Sequence, residues 1–404
     1  MPKRMSGALL LSVTLLAASL LLTRAALPDT LYTVDGDLTI ASMPWVRADD
    51  AGPASRADGT AAVGRAQSDT SRNVTLTAFG IPVKTVRVVE QQRRAVQVSG
   101  VPFGVKMFSN GALVVAFSDR CTALGTENPA KEAGLRLGDL IISAGGRQVR
   151  SNDELSSAIS DANGAPIQIV YLRSGREYTC TLQPVADQAS GVWRAGLWVR
   201  DSSAGIGTLT FTDQTRGTFA GLGHAISDID TGASIQLLSG EIVPVVITGC
   251  IKGAAGSPGE LRGEFPAADD LGVVLANDST GVYGRWQGGD VGQTCPVAQP
   301  QEIMPGEAQI LATLSGREPR LYTVRIERVN LTAADPNRNL LIRVTDPELL
   351  RTAGGIVQGM SGSPVLQNGR LVGALTHVLV NDPTRGYGIF ASTMLEKADS
   401  VVSG

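Results

Sequence analysis

Gly355-Ile356-Val357-Gln358-Gly359-Met360-Ser361-Gly362-Ser363-Pro364-Val365 places one serine in a turn of small residues, with an apolar run directly after it. Gly359 and Gly362 permit backbone angles that a Cβ forbids, as a sharp turn presenting a nucleophile requires. Such a turn can also aim the backbone N–H groups of Gly359 and Ser361 at one point, a pocket for a developing oxyanion. Position 363 is serine, so the Gly-x-Ser-x-Gly elbow of a strand-to-helix nucleophile is absent. A Gly/Ser turn alone is more often only a turn. Its partners decide the reading.

Working outward, the 404 residues suffice for two or three globular units. Forty-seven glycines against 4% aromatic residues point to β-rich domains with many turns rather than helical bundles. A net charge of -3 supplies no basic field for nucleic acid. Cys121, Cys180, Cys250 and Cys295 are far apart and form no C-x-x-C, which argues against a zinc cluster. They read equally as disulfide partners or as small buried side chains. With two histidines in the chain a His-rich metal site is excluded, and no metal or cofactor is expected. The same scarcity limits any imidazole base for Ser361 to His224 or His377.

Residues 1–26 read as a short basic start, Lys3 and Arg4, followed by an uncharged apolar stretch from Met5 to Thr23. That length spans a bilayer as a helix, and the positive charges keep the N-terminus inside, leaving the bulk of the chain outside. A cleaved signal peptide is the alternative. Residues 27–73 read as an extracytoplasmic stalk, flexible across 48–72, where Ala, Gly, Ser, Asp and Thr offer too little apolar surface to offset ordering. Alternating runs within 74–97 read as strands preceding the next domain.

Residues 98–186 form that domain. Ser151 and Glu154 make a capping box. Leu155, Ala158, Ile159 and Ala162 repeat at helical spacing up to Gly164, and Ile167 to Leu172 with Tyr178 to Leu182 read as closing strands. With these, Ala133-Gly134-Leu135-Arg136-Leu137-Gly138-Asp139-Leu140-Ile141 resembles the PDZ domains of bacterial proteases. Such domains capture an extended peptide by strand addition beside a helix. The resemblance makes Pro102, Phe103, Gly104 and Val105 the peptide-binding loop, without the usual Gly-Leu-Gly-Phe.

Residues 191–404 alternate short apolar runs with Gly-rich turns, which argues for β-barrels, with a short helix over Thr393 to Val401. His224 stands in the glycine-flanked Phe219-Ala220-Gly221-Leu222-Gly223-His224-Ala225-Ile226-Ser227-Asp228. Asp346 ends an apolar strand, where it can hold an imidazole tautomer, although Asp346-Pro347 is equally a helix-entry signal. Asp228 competes as the acid and His377, inside a strand, as the base.

The serine turn resembles Gly-Asp-Ser-Gly-Gly-Pro of chymotrypsin-like proteases, with Met360 for the Asp and Ser363 for the second Gly. More specifically, four stretches resemble the stage IV sporulation protein B peptidases of endospore-forming bacteria. They are Gly223 to Gly232, Gly256 to Phe265, Gly354 to Pro364, and Thr376-His377-Val378 with Asn381-Asp382-Pro383. The resemblance implies a mainly β chain with an N-terminal membrane anchor, a PDZ domain and a double β-barrel, chymotrypsin-like serine peptidase domain. It implies a triad of His224, Asp346 and Ser361, and substrate pairing with a cleft strand near Leu371 to Val378. It also implies export to the space between forespore and mother cell, self-cleavage, and cleavage of a membrane-bound regulator that restrains a pro-sigma-K processing protease. The competing expectations are a non-catalytic PDZ signalling scaffold with a degenerate protease fold, and a quality-control protease, in which the PDZ usually follows the protease domain.

Overall fold

The computed structural model describes residues 2–34, 38–49, 71–122, 125–226, 237–267 and 269–403. Helix α1 (Pro2–Ala26) covers the apolar stretch read from the sequence as an anchor. The side chains of residues 2–10 lie outside the described set, and among the described residues no helix is long and apolar enough to cross a membrane. The end of α1 packs Leu20 and Ala26 against a small sheet.

That sheet consists of β1 (Thr30–Thr33), β2 (Val46–Asp49), β3 (Ser71–Ala78) and β4 (Ile81–Glu90), in the order β1-β4-β3-β2. Alternation puts Val74, Leu76, Val86 and Val88 on one face, where they form a core with Leu27, Leu31 and Val46. The stalk expectation is corrected at both ends. Ala48 and Asp49 pair with Leu76 and Thr75, and Ser71 and Arg72 pair with Val89 and Val88. Leu31 and Val46 supply the apolar surface that orders these strands, so 27–34, 38–49 and 71–90 build one module. The remainder of the expected stalk, residues 50–70, lies outside the described residues.

β5 (Pro102–Phe117) leads into the PDZ elements α2 (Pro129–Glu132), β6 (Leu140–Ala144), α3 (Asn152–Asp161), β7 (Ile167–Arg173) and β8 (Arg176–Leu182). The Ser151 half of the capping box is present, its Oγ accepting from the Glu154 N–H, while the Glu154 carboxylate accepts from the Arg150 N–H, one residue ahead of the N-cap. Leu155, Ala158 and Ile159 of α3 bury against Ile141, Val149 and Ile169.

The chain leaves the PDZ on β9 (Leu197–Asp213), which pairs with β5 along most of its length. At one end, Leu197–Arg200 and Leu113–Phe117 continue the PDZ sheet, where Ala112 and Leu113 bond to β6. At the other end the same two strands enter a ring with β10 (Thr218–Gly221), β11 (Leu237–Pro244), β12 (Gly272–Asp278) and β13 (Gly281–Trp286). The pairing β5-β11-β12-β13-β10-β9 returns to β5, so this ring closes. Phe103, Met107, Leu209, Phe219 and Trp286 fill it.

Two expectations change as a result. The boundary between 98–186 and 191–404 is no clean cut, because β5 belongs to both units. Pro102, Phe103, Gly104 and Val105 are no ligand loop: they pair with β9, and Phe103 to Val105 pair with β11 on the other side. Phe103 and Val105 point into the ring. No peptide can add to backbone already bonded on both edges.

A second closed barrel follows, made of β14 (Gly306–Ala312), β15 (Arg320–Val329), β16 (Leu340–Val344), β17 (Pro364–Gln367), β18 (Arg370–Leu379) and β19 (Asp382–Phe390), in the order β14-β15-β16-β19-β18-β17. Helix α4 (Pro347–Ala353) joins β16 to β17. Helix α5 (Ala391–Ser403) covers the expected C-terminal helix and wedges Met394, Leu395 and Ala398 between Phe211 and Tyr283 of one barrel and Leu371 and Ile389 of the other. Two six-stranded antiparallel barrels meeting at a cleft is the chymotrypsin-like arrangement.

Candidate active site

Asp346 caps α4, and Gly354 ends it in a left-handed conformation. The chain then descends through 355–359, tied by Ile356 N–H to Pro383 O and by mutual bonds of Gln358 with Gly259 and Leu261. Buried Met360 roots the turn in the second-barrel core. Gly362 has φ +93°, and a Cβ there would lie 2.0 Å from Thr208 O, so the residue is glycine for two independent reasons.

Backbone carbonyls around the serine are all engaged. Gln358 O accepts from Leu261 N–H, Met360 O from Ser363 N–H, and Ser361 O from Thr208 N–H. In a trans peptide the N–H points opposite its carbonyl. The Gly359 and Ser361 N–H groups therefore point away from Leu261 and from the turn interior. Among the described residues neither has a hydrogen-bond acceptor. The Met360, Gly362 and Ser363 N–H groups are occupied within the fold. The two donors expected from sequence are thus the two left unengaged.

The Ser361 hydroxyl donates to Thr376 O at 2.8 Å. His224 enters from the first barrel, after Leu222 and Gly223 in positive-φ conformations. Its Nδ1 lies 2.8 Å from the Ala225 carbonyl, which can only accept, so Nδ1 carries the proton and Nε2 keeps its lone pair. His377 faces it, with ring centroids 4.8 Å apart. Burial lowers the pKa of His224 below the usual 6.5, the Ala225 bond opposing the shift in part. His377 is lowered too, first by desolvation and then by the charge of His224. Both rings are neutral near pH 7, the form a general base requires.

Ser361, Gly359, His224 and His377 line one cleft of about 350 Å³, walled by Ile206, Leu222, Ile226, Ile356, Val357 and Val378. None of its described lining residues is charged.

Asp346 does not join this cleft. One carboxylate oxygen accepts from the Glu348 and Leu349 N–H groups, the other from the Thr323 N–H. Burial alone would raise its pKa, but bonds from Leu349, Thr323 and Glu348 outweigh that and hold it below the usual carboxylate range. Of the expected triad, the structure brings Ser361 and His224 together and leaves Asp346 as a helix cap. Asp228 lies outside the described residues. The expected substrate strand also narrows: Gly373 to Leu375 pair with β17 or β19 on both edges, leaving a register break around Thr376 and His377.

Sequence reasoning missed Thr208 and Thr210, whose hydroxyls donate to the carbonyls of Gly359 and Gly362. Alternating threonines in a β-run carry no such signal. His377 lies inside β18, the strand expected to flank the cleft, and its ring lines the cleft beside His224.

Comparison with known proteins bears on the same region. The profile of the SpoIVB peptidase S55 family matches residues 191–395, which hold the cleft, and a PDZ profile matches residues 103–183. The chain belongs to the SpoIVB peptidase S55 family. A PDZ domain precedes most of the region that the peptidase profile matches. Two putative zinc metalloproteases also match in part. That of Bartonella henselae is 35% identical over 20% of this chain and 22% of its own, and that of Neisseria meningitidis 27% identical over 30% and 28%. The chain thus spans well under a third of the curated relatives it matches. Among the described residues, no group of three or more His, Cys, Asp or Glu side chains could hold a metal ion. Of solved structures, the PDZ domain of an SdrC-like protein from Listeria monocytogenes aligns at 22% identity and TM-score 0.20, over 23% of this chain and 90% of that one. The thermostable serine protease AL20 from an extremophilic microorganism aligns at 11% identity and TM-score 0.29, over 50% and 93%.

Proposed function

We propose that the chain is a regulatory serine endopeptidase with a Ser361–His224 pair at its centre. His224 Nε2 takes the Ser361 hydroxyl proton as Oγ bonds to the peptide carbonyl carbon. The Gly359 and Ser361 N–H groups receive the oxyanion, and the imidazolium returns its proton to the leaving amine. The Ala225 carbonyl fixes the His224 tautomer, the role an aspartate fills in other triads. No cofactor enters these steps.

The observation that carries this reading is the convergence, among the described residues, of Ser361, the two unengaged N–H donors and a neutral, tautomer-fixed His224 on one cleft without charged lining. Family membership supports the finer reading: self-cleavage, cleavage of a membrane-bound regulator to trigger pro-sigma-K processing, and action on the extracytoplasmic side from an N-terminal anchor.

One observation favours a second reading. With Asp346 held at a helix cap, the chain could be a PDZ scaffold on a degenerate protease fold. Self-cleavage of the purified full-length chain, wild type against Ser361→Ala, separates the two by gel and N-terminal mapping. Shortening of the wild type alone supports the peptidase. Two intact chains, with no labelling of Ser361 by a fluorophosphonate, support the scaffold.

A further inference from the structure

Resting on the peptidase reading, we propose that Thr208 is a positioning residue that registers the nucleophile of one barrel against the base of the other. Ser361 belongs to the second barrel and His224 to the first, so their separation is fixed only by contacts across the seam. Thr208, on β9 of the first barrel, directs its N–H and hydroxyl across that seam and its carbonyl to the turn before His224. Its N–H donates to Ser361 O at 2.9 Å, its hydroxyl donates to Gly359 O at 2.9 Å, and its carbonyl accepts from Leu222 N–H at 3.3 Å. One residue thus holds the serine, a residue offering an oxyanion donor, and the strained step two residues before His224.

The seam is closely fitted at this point. Thr208 is 2% exposed, and Gly362 approaches it so closely that a side chain at 362 would overlap its carbonyl. Thr210 repeats the contact one pleat further on, to Gly362 O at 2.7 Å. The Gly359 carbonyl belongs to the peptide lying between the two that carry the Gly359 and Ser361 N–H groups, so holding it fixes how those donors are spaced. Removing the Thr208 hydroxyl leaves that carbonyl unpaired in a buried seam and frees the turn to rotate. Groups displaced by about 1 Å lose on the order of 100-fold in rate while substrate binding elsewhere is retained.

The test compares Thr208→Val, which keeps shape and removes the donor, with Thr208→Ser, which keeps the donor. A peptide containing the mapped self-cleavage site gives kcat and KM, a peptidyl boronate gives affinity for a tetrahedral adduct, and fluorophosphonate titration counts competent molecules. Per competent molecule, Thr208→Val should lower kcat roughly 10- to 100-fold with KM within about twofold, and weaken the boronate by the same factor. Thr208→Ser should restore kcat to within about threefold of wild type. The proposal is overturned if the valine variant keeps wild-type kcat per competent molecule, if KM alone changes, or if serine fails to rescue. A wild type showing neither Ser361-dependent cleavage nor labelling overturns the peptidase reading itself. An active wild type with an unaffected valine variant removes only the role of Thr208.

Discussion

The imidazoles of His224 and His377 lie 4.8 Å apart with planes inclined by 36°. Two cations at that distance repel, and both rings are already pushed below 6.5 by burial. The pair therefore resists double protonation. The acid limb of kcat/KM should have its midpoint below pH 6.5, and His377→Gln should move it toward higher pH while leaving His224 as base. A limb unchanged by His377→Gln would refute the coupling.

The same shifts carry a stability consequence. A histidine whose folded pKa lies below its unfolded value binds fewer protons in the folded state, so stability declines as pH drops below about 6.5. Melting temperature measured from pH 7.5 to 5 should fall, and His377→Gln should flatten the slope. An equal slope in both proteins would show that other groups set it.

Asp346 yields a sharp contrast between two roles. As a helix cap, asparagine replaces it well, whereas alanine costs about 1 kcal/mol. As a triad acid, asparagine would cost about 10⁴ in kcat. We expect Asp346→Asn to keep kcat within about tenfold of wild type and Asp346→Ala to lower the melting temperature, since the carboxylate serves the α4 cap and the Thr323 N–H rather than His224. A loss of kcat on the triad scale in Asp346→Asn, with the fold intact, would return this residue to the cleft.

Phe103 separates the ligand-loop expectation from the observed barrel. Its ring is fully buried against Phe219 at 6.5 Å between centroids. Phe103→Ala should destabilise the whole chain by about 3–5 kcal/mol in denaturant titration. Loss of PDZ ligand binding at undiminished stability would contradict this.

Gly362→Ala should abolish Ser361 labelling and destabilise by about 3 kcal/mol, because the backbone angle and the approach of Thr208 both forbid a Cβ. Calorimetry with fluorophosphonate labelling checks both parts.

The serine turn, its two N–H donors, the place of His224, α3 with its Ser151 cap and the C-terminal helix were legible because each rests on local chemistry: glycine where φ is positive, a hydroxyl at an N-cap, apolar spacing of 3.6. Asp346 was ambiguous for a physical reason. A carboxylate before proline at a strand end carries the same signature whether it caps a helix or orients an imidazole, and only the positions of Thr323 and His224 distinguish the two. Pro102 to Val105 were misread because the partners that make them a strand, β9 and β11, lie about 100 residues or more downstream. Thr208 was invisible for the same reason.

β5 and β9 cross from the PDZ sheet into the first barrel without a break in the chain, and β9 ends at the threonines that hold the serine turn. A domain on a tether swivels and transmits nothing. One stitched into a barrel by two of its own staves has no such freedom: the strand that fixes its orientation also carries the threonines that hold the serine turn. Excising the PDZ would accordingly cut two staves of the barrel, and a loss of proteolysis after such a deletion would report a broken scaffold rather than a missing ligand.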